Sequence, residues 1–129
     1  MNANITPIDE TTFFFRRTPS GAQIWFEKRE GGSSLGHFLL DPKESLALFN
    51  HSPTGFEWGY GGSGPAQAAL AVLLKAGVPP AAAVYWHQTF KWDFVSRLDR
   101  EGGSITSTEI GRKISVYEQH ERNAKQANH

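Results

Sequence analysis

The run Gly59-Tyr60-Gly61-Gly62-Ser63-Gly64 has the spacing G-x-G-x-x-G and lies between an extended piece and a helical pattern. In that setting, backbone N–H groups at a helix N-terminus can cradle a phosphate. The neighbouring residues do not support a dinucleotide. Val78 to Val84, about 20 positions on, holds no carboxylate for a ribose. The next element reads as a second helix, so no βαβ unit closes. Pro65 removes one of the N–H groups that would face an anion. No G-K-[ST] step follows, and Lys75 sits at the far end of the helix, roughly 15 Å away at the usual rise. Gly59, Gly61, Gly62 and Gly64 therefore read as a structural turn that allows close backbone approach. Gly61 or Gly62 is expected to take φ > 0. Gly64 or Ser63 is expected to cap the helix, with Gln67 reaching back if Gly64 is the cap.

A base and several hydroxyls cluster about the same turn. His51, Ser52, Glu57, Tyr60 and Ser63 could assemble a hydrolytic or transferase site. Ser52-Pro53 also reads as an ordinary turn. Ser63 is not in a nucleophile elbow, because Tyr60 stands where G-x-S-x-G wants its first glycine. Glu57, between Phe56 and Trp58, needs a cation if it points inward, and Arg16, Arg17 and Lys91 are the candidates. The histidines are His37, His51, His87, His120 and His129. None pairs with another histidine or a carboxylate at helical metal spacing, apart from Glu121 beside His120. No metal and no cofactor is expected. His87 falls on the apolar stripe of its helix and reads as a satisfied core group. A small enzyme or an anion site centred on the turn remains an alternative reading.

Binding by contact is the favoured one. Aromatic and arginine side chains dominate interface anchors. Trp25 shares a strand face with Gln23 and Glu27, opposite Ile24 and Phe26, and Arg16 and Arg17 lie on the neighbouring strand. These three are the expected contact residues for a protein partner. Trp86, off the core stripe of its helix, is a further exposed aromatic by this reading. The same hairpin, with Phe14, Lys28 and Arg29, could instead stack single-stranded nucleic acid. Glu27 and Glu30 dilute that basic patch. Thirteen basic residues against thirteen acidic ones leave no electrostatic footprint for nucleic acid.

The elements that must position these residues follow from pattern. A chain of 129 residues makes one domain and hides about two-thirds of its unfolded surface. It has no cysteine, which excludes disulfides, thiolate zinc sites and iron–sulfur clusters. No apolar run approaches a membrane span, and Met1 to Glu10 has neither a basic nor an apolar stretch. A cytoplasmic protein with a loose arm over residues 1–10 is expected. Thr11 to Arg17 and Ala22 to Lys28 read as a hairpin about the turn Thr18-Pro19-Ser20-Gly21. His37 to Leu40 reads as a third strand and Ser45 to Phe49 as a fourth. A helix apolar on nearly every side starts at Pro65 and stops at Gly77. A second runs from Pro80 or Ala81 to Leu98, with Tyr85 and Trp92 as an outer ridge. Glu101-Gly102-Gly103 reads as a loop. Thr106 and Glu109 form a capping box before Ile110, Ile114 and Tyr117. Residues 118–129 read as a solvated helix end or a disordered tail. Strands first and helices after imply α+β, a small antiparallel sheet packed against two or three C-terminal helices.

The run from His51 to Ala71, with Phe56-Glu57-Trp58-Gly59-Tyr60-Gly61-Gly62-Ser63-Gly64-Pro65-Ala66-Gln67 at its centre, resembles the signature of a domain family of unknown function. That family is found mainly in phages, plasmids and bacterial genomes. The Phe90-Lys91 step and the helix start from Thr106 to Ile110 resemble its weaker downstream pattern. The resemblance implies no activity. It implies a mobile-element accessory protein, a class whose members often bind and disable a host defence component such as a CRISPR effector.

Overall fold

In the computed structural model, residues 9–53 and 55–127 are described. Most of the expected N-terminal arm, residues 1–8, lies outside them. Its last residue does not: Glu10 opens the first strand, and Asp9 accepts a hydrogen bond from the Gly31 N–H at 3.0 Å.

Strands β1 (Glu10–Thr18) and β2 (Gly21–Glu30) form the expected hairpin, closed by the two-residue loop Pro19-Ser20. Pro19 and Ser20 keep negative φ, and the positive φ that turns the chain into β2 falls on Gly21, at 110°. Strand β3 (Ser33–Leu39) pairs with the far side of β2. Phe13, Phe15 and Ile24 point into the core, each fully buried at a gain of about 1.5–3 kcal/mol. Phe14, Arg16, Gln23, Trp25 and Glu27 alternate onto the opposite face.

The segment read as a fourth strand is instead a helix, α1 (Lys43–Leu48). Asp41 accepts the Lys43 N–H at 2.9 Å, Pro42 takes helical angles, and Glu44 favours the first turn. Six residues are too few for a helical period to separate from strand alternation.

Helix α2 (Ser63–Lys75) runs through the centre of the molecule and is buried from Gly64 to Leu73. Its N-cap is Gly62, not the expected Ser63 or Gly64, and Pro65 stands in its first turn. Helix α3 (Pro80–Asp93) is shorter than its pattern suggests. Phe94 leaves helical geometry, and Val95–Arg97 form a separate 3-10 turn.

The loop expected at Gly102-Gly103 belongs to a strand, β4 (Gly102–Thr106), antiparallel to β1. Paired glycines read as a loop because they weaken strands. Here they permit contact: a Cβ on Gly102 would strike the Phe15 carbonyl, and φ there is 110°. The sheet order is β3-β2-β1-β4.

Helix α4 (Ser107–Ala127) starts on the expected capping box. The Glu109 N–H donates to Thr106 Oγ1 at 3.1 Å, and the Thr106 N–H donates to Glu109 Oε1 at 3.2 Å. Asp93 on α3 accepts from Tyr117 Oη at 2.7 Å and Lys113 Nζ at 2.9 Å, which ties the two helices together. Trp86, expected to be exposed, is buried with its ring 5.6 Å from that of Tyr117. From Glu118 to Ala127 the chain is a largely exposed helix end. The helices gather on the face of Phe13, Phe15, Ile24 and Ile105, which joins them to Leu70, Leu73, Phe90 and Ile110 in one core. The fold is α+β.

Candidate functional site

Two regions gather the residues singled out from sequence. The first is the corner between the glycine turn and the sheet. Phe56 and Trp58 are buried on either side of Glu57, so Glu57 turns the other way. It meets Arg17 in a two-pronged ion pair, Nη2 to Oε1 at 2.9 Å and Nη1 to Oε2 at 3.3 Å. Arg17 also donates from Nε to the Arg100 carbonyl at 2.6 Å and stacks on Trp58 at 4.7 Å. The hydrogen bond from Arg17 holds the Glu57 carboxyl below its ordinary range. Of the three cations expected for Glu57, Arg17 is the one used.

Gly59, not Gly61 or Gly62, carries the positive φ, at 89°. The other three glycines serve close approach. A Cβ on Gly61 would strike the Trp92 ring, and one on Gly62 the Tyr60 ring. One on Gly64 would lie 2.7 Å from Glu57 Cβ and 3.2 Å from its backbone nitrogen.

Gln67 does not reach back to cap its helix. It is fully buried and holds the preceding segment against α2. Its Oε1 accepts from the His51 N–H at 2.7 Å and the Ser52 N–H at 3.2 Å, and its Nε2 donates to Ser45 Oγ at 2.9 Å. His51 is thereby brought to His87, Nε2 to Nε2 at 2.8 Å. His87 Nδ1 lies 2.6 Å from the Val84 carbonyl and must carry a proton there. In the neutral pair His87 Nε2 is then the acceptor and His51 Nε2 the donor. Burial first, then the neighbouring charges of His87 and Lys91, hold His51 below the ordinary imidazole range. Burial does the same for His87. The satisfied-core reading of His87 stands, with a partner that sequence spacing did not show.

Glu57, Tyr60 and Ser63 do come together, with Ser52, around an open pocket of about 570 Å³. His51 is not among its lining residues. Among the described residues, no hydrogen bond joins His51 or Glu57 to the hydroxyls of Ser52, Tyr60 or Ser63. The corner therefore sets no base on a nucleophile among the described residues. Among the described residues no group of three metal-ligating side chains occurs.

The second region is the open face of the sheet. The register sets Leu39, Trp25, Phe14 and Ser104 side by side across all four strands. None of the three apolar residues joins the core. Leu39 is 50% exposed. The Phe14 ring stacks on His37 at 5.8 Å and lies under the Arg16 guanidinium at 4.7 Å. Arg16 forms no ion pair among the described residues. Trp25 Nε1 donates to Gln23 at 3.1 Å, within the face. Of the expected contact residues, Trp25 and Arg16 share this surface. Arg17 is on the other side, committed to Glu57. Leu39 was missed, although alternation from His37 would have placed it.

The model of a family of unknown function (DUF6166) matches residues 8–116, most of the chain, including the corner and the open face. The chain belongs to this family. Comparison with curated proteins and with solved structures gives no match. The stretch that matches DUF6166 ends within α4, just before Tyr117 and the exposed helix end. Among the described residues no helix of this DUF6166 chain is long and apolar enough to cross a membrane.

Proposed function

We propose that this protein acts by binding a protein partner, with the open sheet face as its contact surface. The observation that carries the reading is the row Leu39, Trp25 and Phe14, left outside the core beside Arg16, which forms no ion pair among the described residues. Large rigid aromatics bury much area at small entropic cost, and a guanidinium adds direction by seeking a carboxylate. The corner supports the same reading from the other side, since its titratable groups are occupied with one another. A partner that fits offers an apolar patch with an acidic group at its rim.

The setting we propose is that of a phage or plasmid accessory protein in the bacterial cytoplasm, with a host defence complex such as a CRISPR effector as the partner class. That setting rests on the resemblance of the run from His51 to Ala71.

The test is capture of partners from host lysate by the tagged chain, followed by titration of the captured partner with variants. Trp25→Ala and Arg16→Glu should each weaken binding about tenfold or more while the protein stays folded. Normal binding by both would remove the face from the account. Tight binding of single-stranded nucleic acid at physiological salt, lost in the same variants, would replace the protein partner with a strand.

A further inference from the structure

Strand β3 is an outer strand of the sheet and the least covered one. Six of its seven residues are exposed, Phe38 at 45% among them. The Leu40 N–H donates to the Ile24 carbonyl at 2.8 Å. Bonding alternates along an antiparallel pair. The backbone groups of Phe38 therefore turn toward β2, while those of His37 and Leu39 turn outward, where no strand among the described residues receives them. A register shift between Glu27 and Arg29 interrupts the strand toward Ser34, so the open edge is the stretch from Gly36 to Leu39.

Proteins usually guard such an edge with lysine or proline. Neither occurs between Ser33 and Leu40, and the one titratable side chain there, His37, lies 3.5 Å from Glu27. We infer that this edge pairs with the same edge of a second copy, antiparallel about a two-fold axis at Phe38, so that His37 of each copy faces Leu39 of the other. Two four-stranded sheets then become one of eight strands.

Charge points to a second copy as the occupant. The paired segment is neutral and the whole chain has a net charge of zero, so like copies meet without general repulsion. The groove beside the strand carries Asp41 and Glu44 together with Lys43 and Lys75. These charges balance within each copy, so the rim adds no repulsion between copies. A two-fold antiparallel pair also matches every outward N–H with a carbonyl of the same short segment. It leaves both open faces on one side of the joined sheet. The pairing itself does not depend on what that face binds.

The test is sedimentation velocity over a concentration series up to the millimolar range, with amide exchange at both ends of the series. Mass should rise toward that of a dimer, and exchange at the His37 and Leu39 amides should slow by about tenfold or more. Phe38→Lys, which sets charges near the axis, should remain monomeric and folded, with a lower melting temperature because the Phe38 ring packs on Phe26 at 5.5 Å. A monomer at every concentration would overturn the inference. So would a dimer in which those two amides exchange as fast as in the dilute chain.

Discussion

The glycine corner and the open sheet face divide the chemistry of this molecule in opposite ways. The corner holds the residues that look reactive in sequence, and they are used internally. Glu57 grips Arg17, His51 grips His87, and Gln67 holds three groups at once. The open face holds a plain alternating row, Leu39, Trp25 and Phe14, which lies outside the core. Polar groups drawn together in a fold satisfy one another first, because an unpaired buried polar group is costly. A surface free to bind is left where apolar side chains alternate away from the core.

If the corner is architecture, its variants should fail by unfolding. The largest effect is expected for Gln67→Leu. It strands the His51 and Ser52 N–H groups and should cost about 2–4 kcal/mol in a denaturant melt. Gly64→Ala comes next at about 1–3 kcal/mol, since Glu57 Cβ and the backbone behind it cannot withdraw. Gly61→Ala should cost less than about 1 kcal/mol, because Trp92 is 60% exposed and its ring can swing aside. Gly61→Ala proving worse than Gly64→Ala would break this account of the turn.

The histidine pair gives the comparison a pH dependence. Both imidazoles titrate lower in the folded chain than the unfolded value of about 6.5. The unfolded chain therefore binds more protons as pH falls through that value. Stability is full above about pH 6.5 and is lost progressively below it. The melting temperature should drop between pH 7.5 and pH 5, and the drop should be shallower in His51→Gln. An identical slope in that variant would show that the pair is not coupled to folding. A modest effect on stability belongs to the open face: Trp25→Ala should cost about 1 kcal/mol, since Trp25 lies outside the core but is half-buried against its strand neighbours.

Much of this was readable from the residues, for identifiable reasons. The hairpin follows from alternation about a Pro-Ser loop, α2 from apolar residues on every side, and the start of α4 from Thr106 and Glu109. These are local signals. What escaped is non-local or masked. His51 and His87 are 36 positions apart, and only the segment held by Gln67 brings them together. Gly102 hides a strand because the reason for glycine there is the Phe15 carbonyl on another strand. Trp86 is buried by α4, whose position the pattern of α3 does not contain. Arg17 sits one residue from Arg16, and strand alternation alone sends it to the other face and to Glu57.

The central claim is that the face binds and the corner supports. Its most direct test is a calorimetric titration of the captured partner with Trp25→Ala and Glu57→Gln, each checked by a thermal melt. The account predicts weaker binding by about 1–2 kcal/mol or more for Trp25→Ala with its fold retained. It predicts unchanged binding for Glu57→Gln at temperatures where that variant stays folded. Full binding by Trp25→Ala, together with lost effect in a well-folded Glu57→Gln, would contradict it and return the glycine corner to the centre of function.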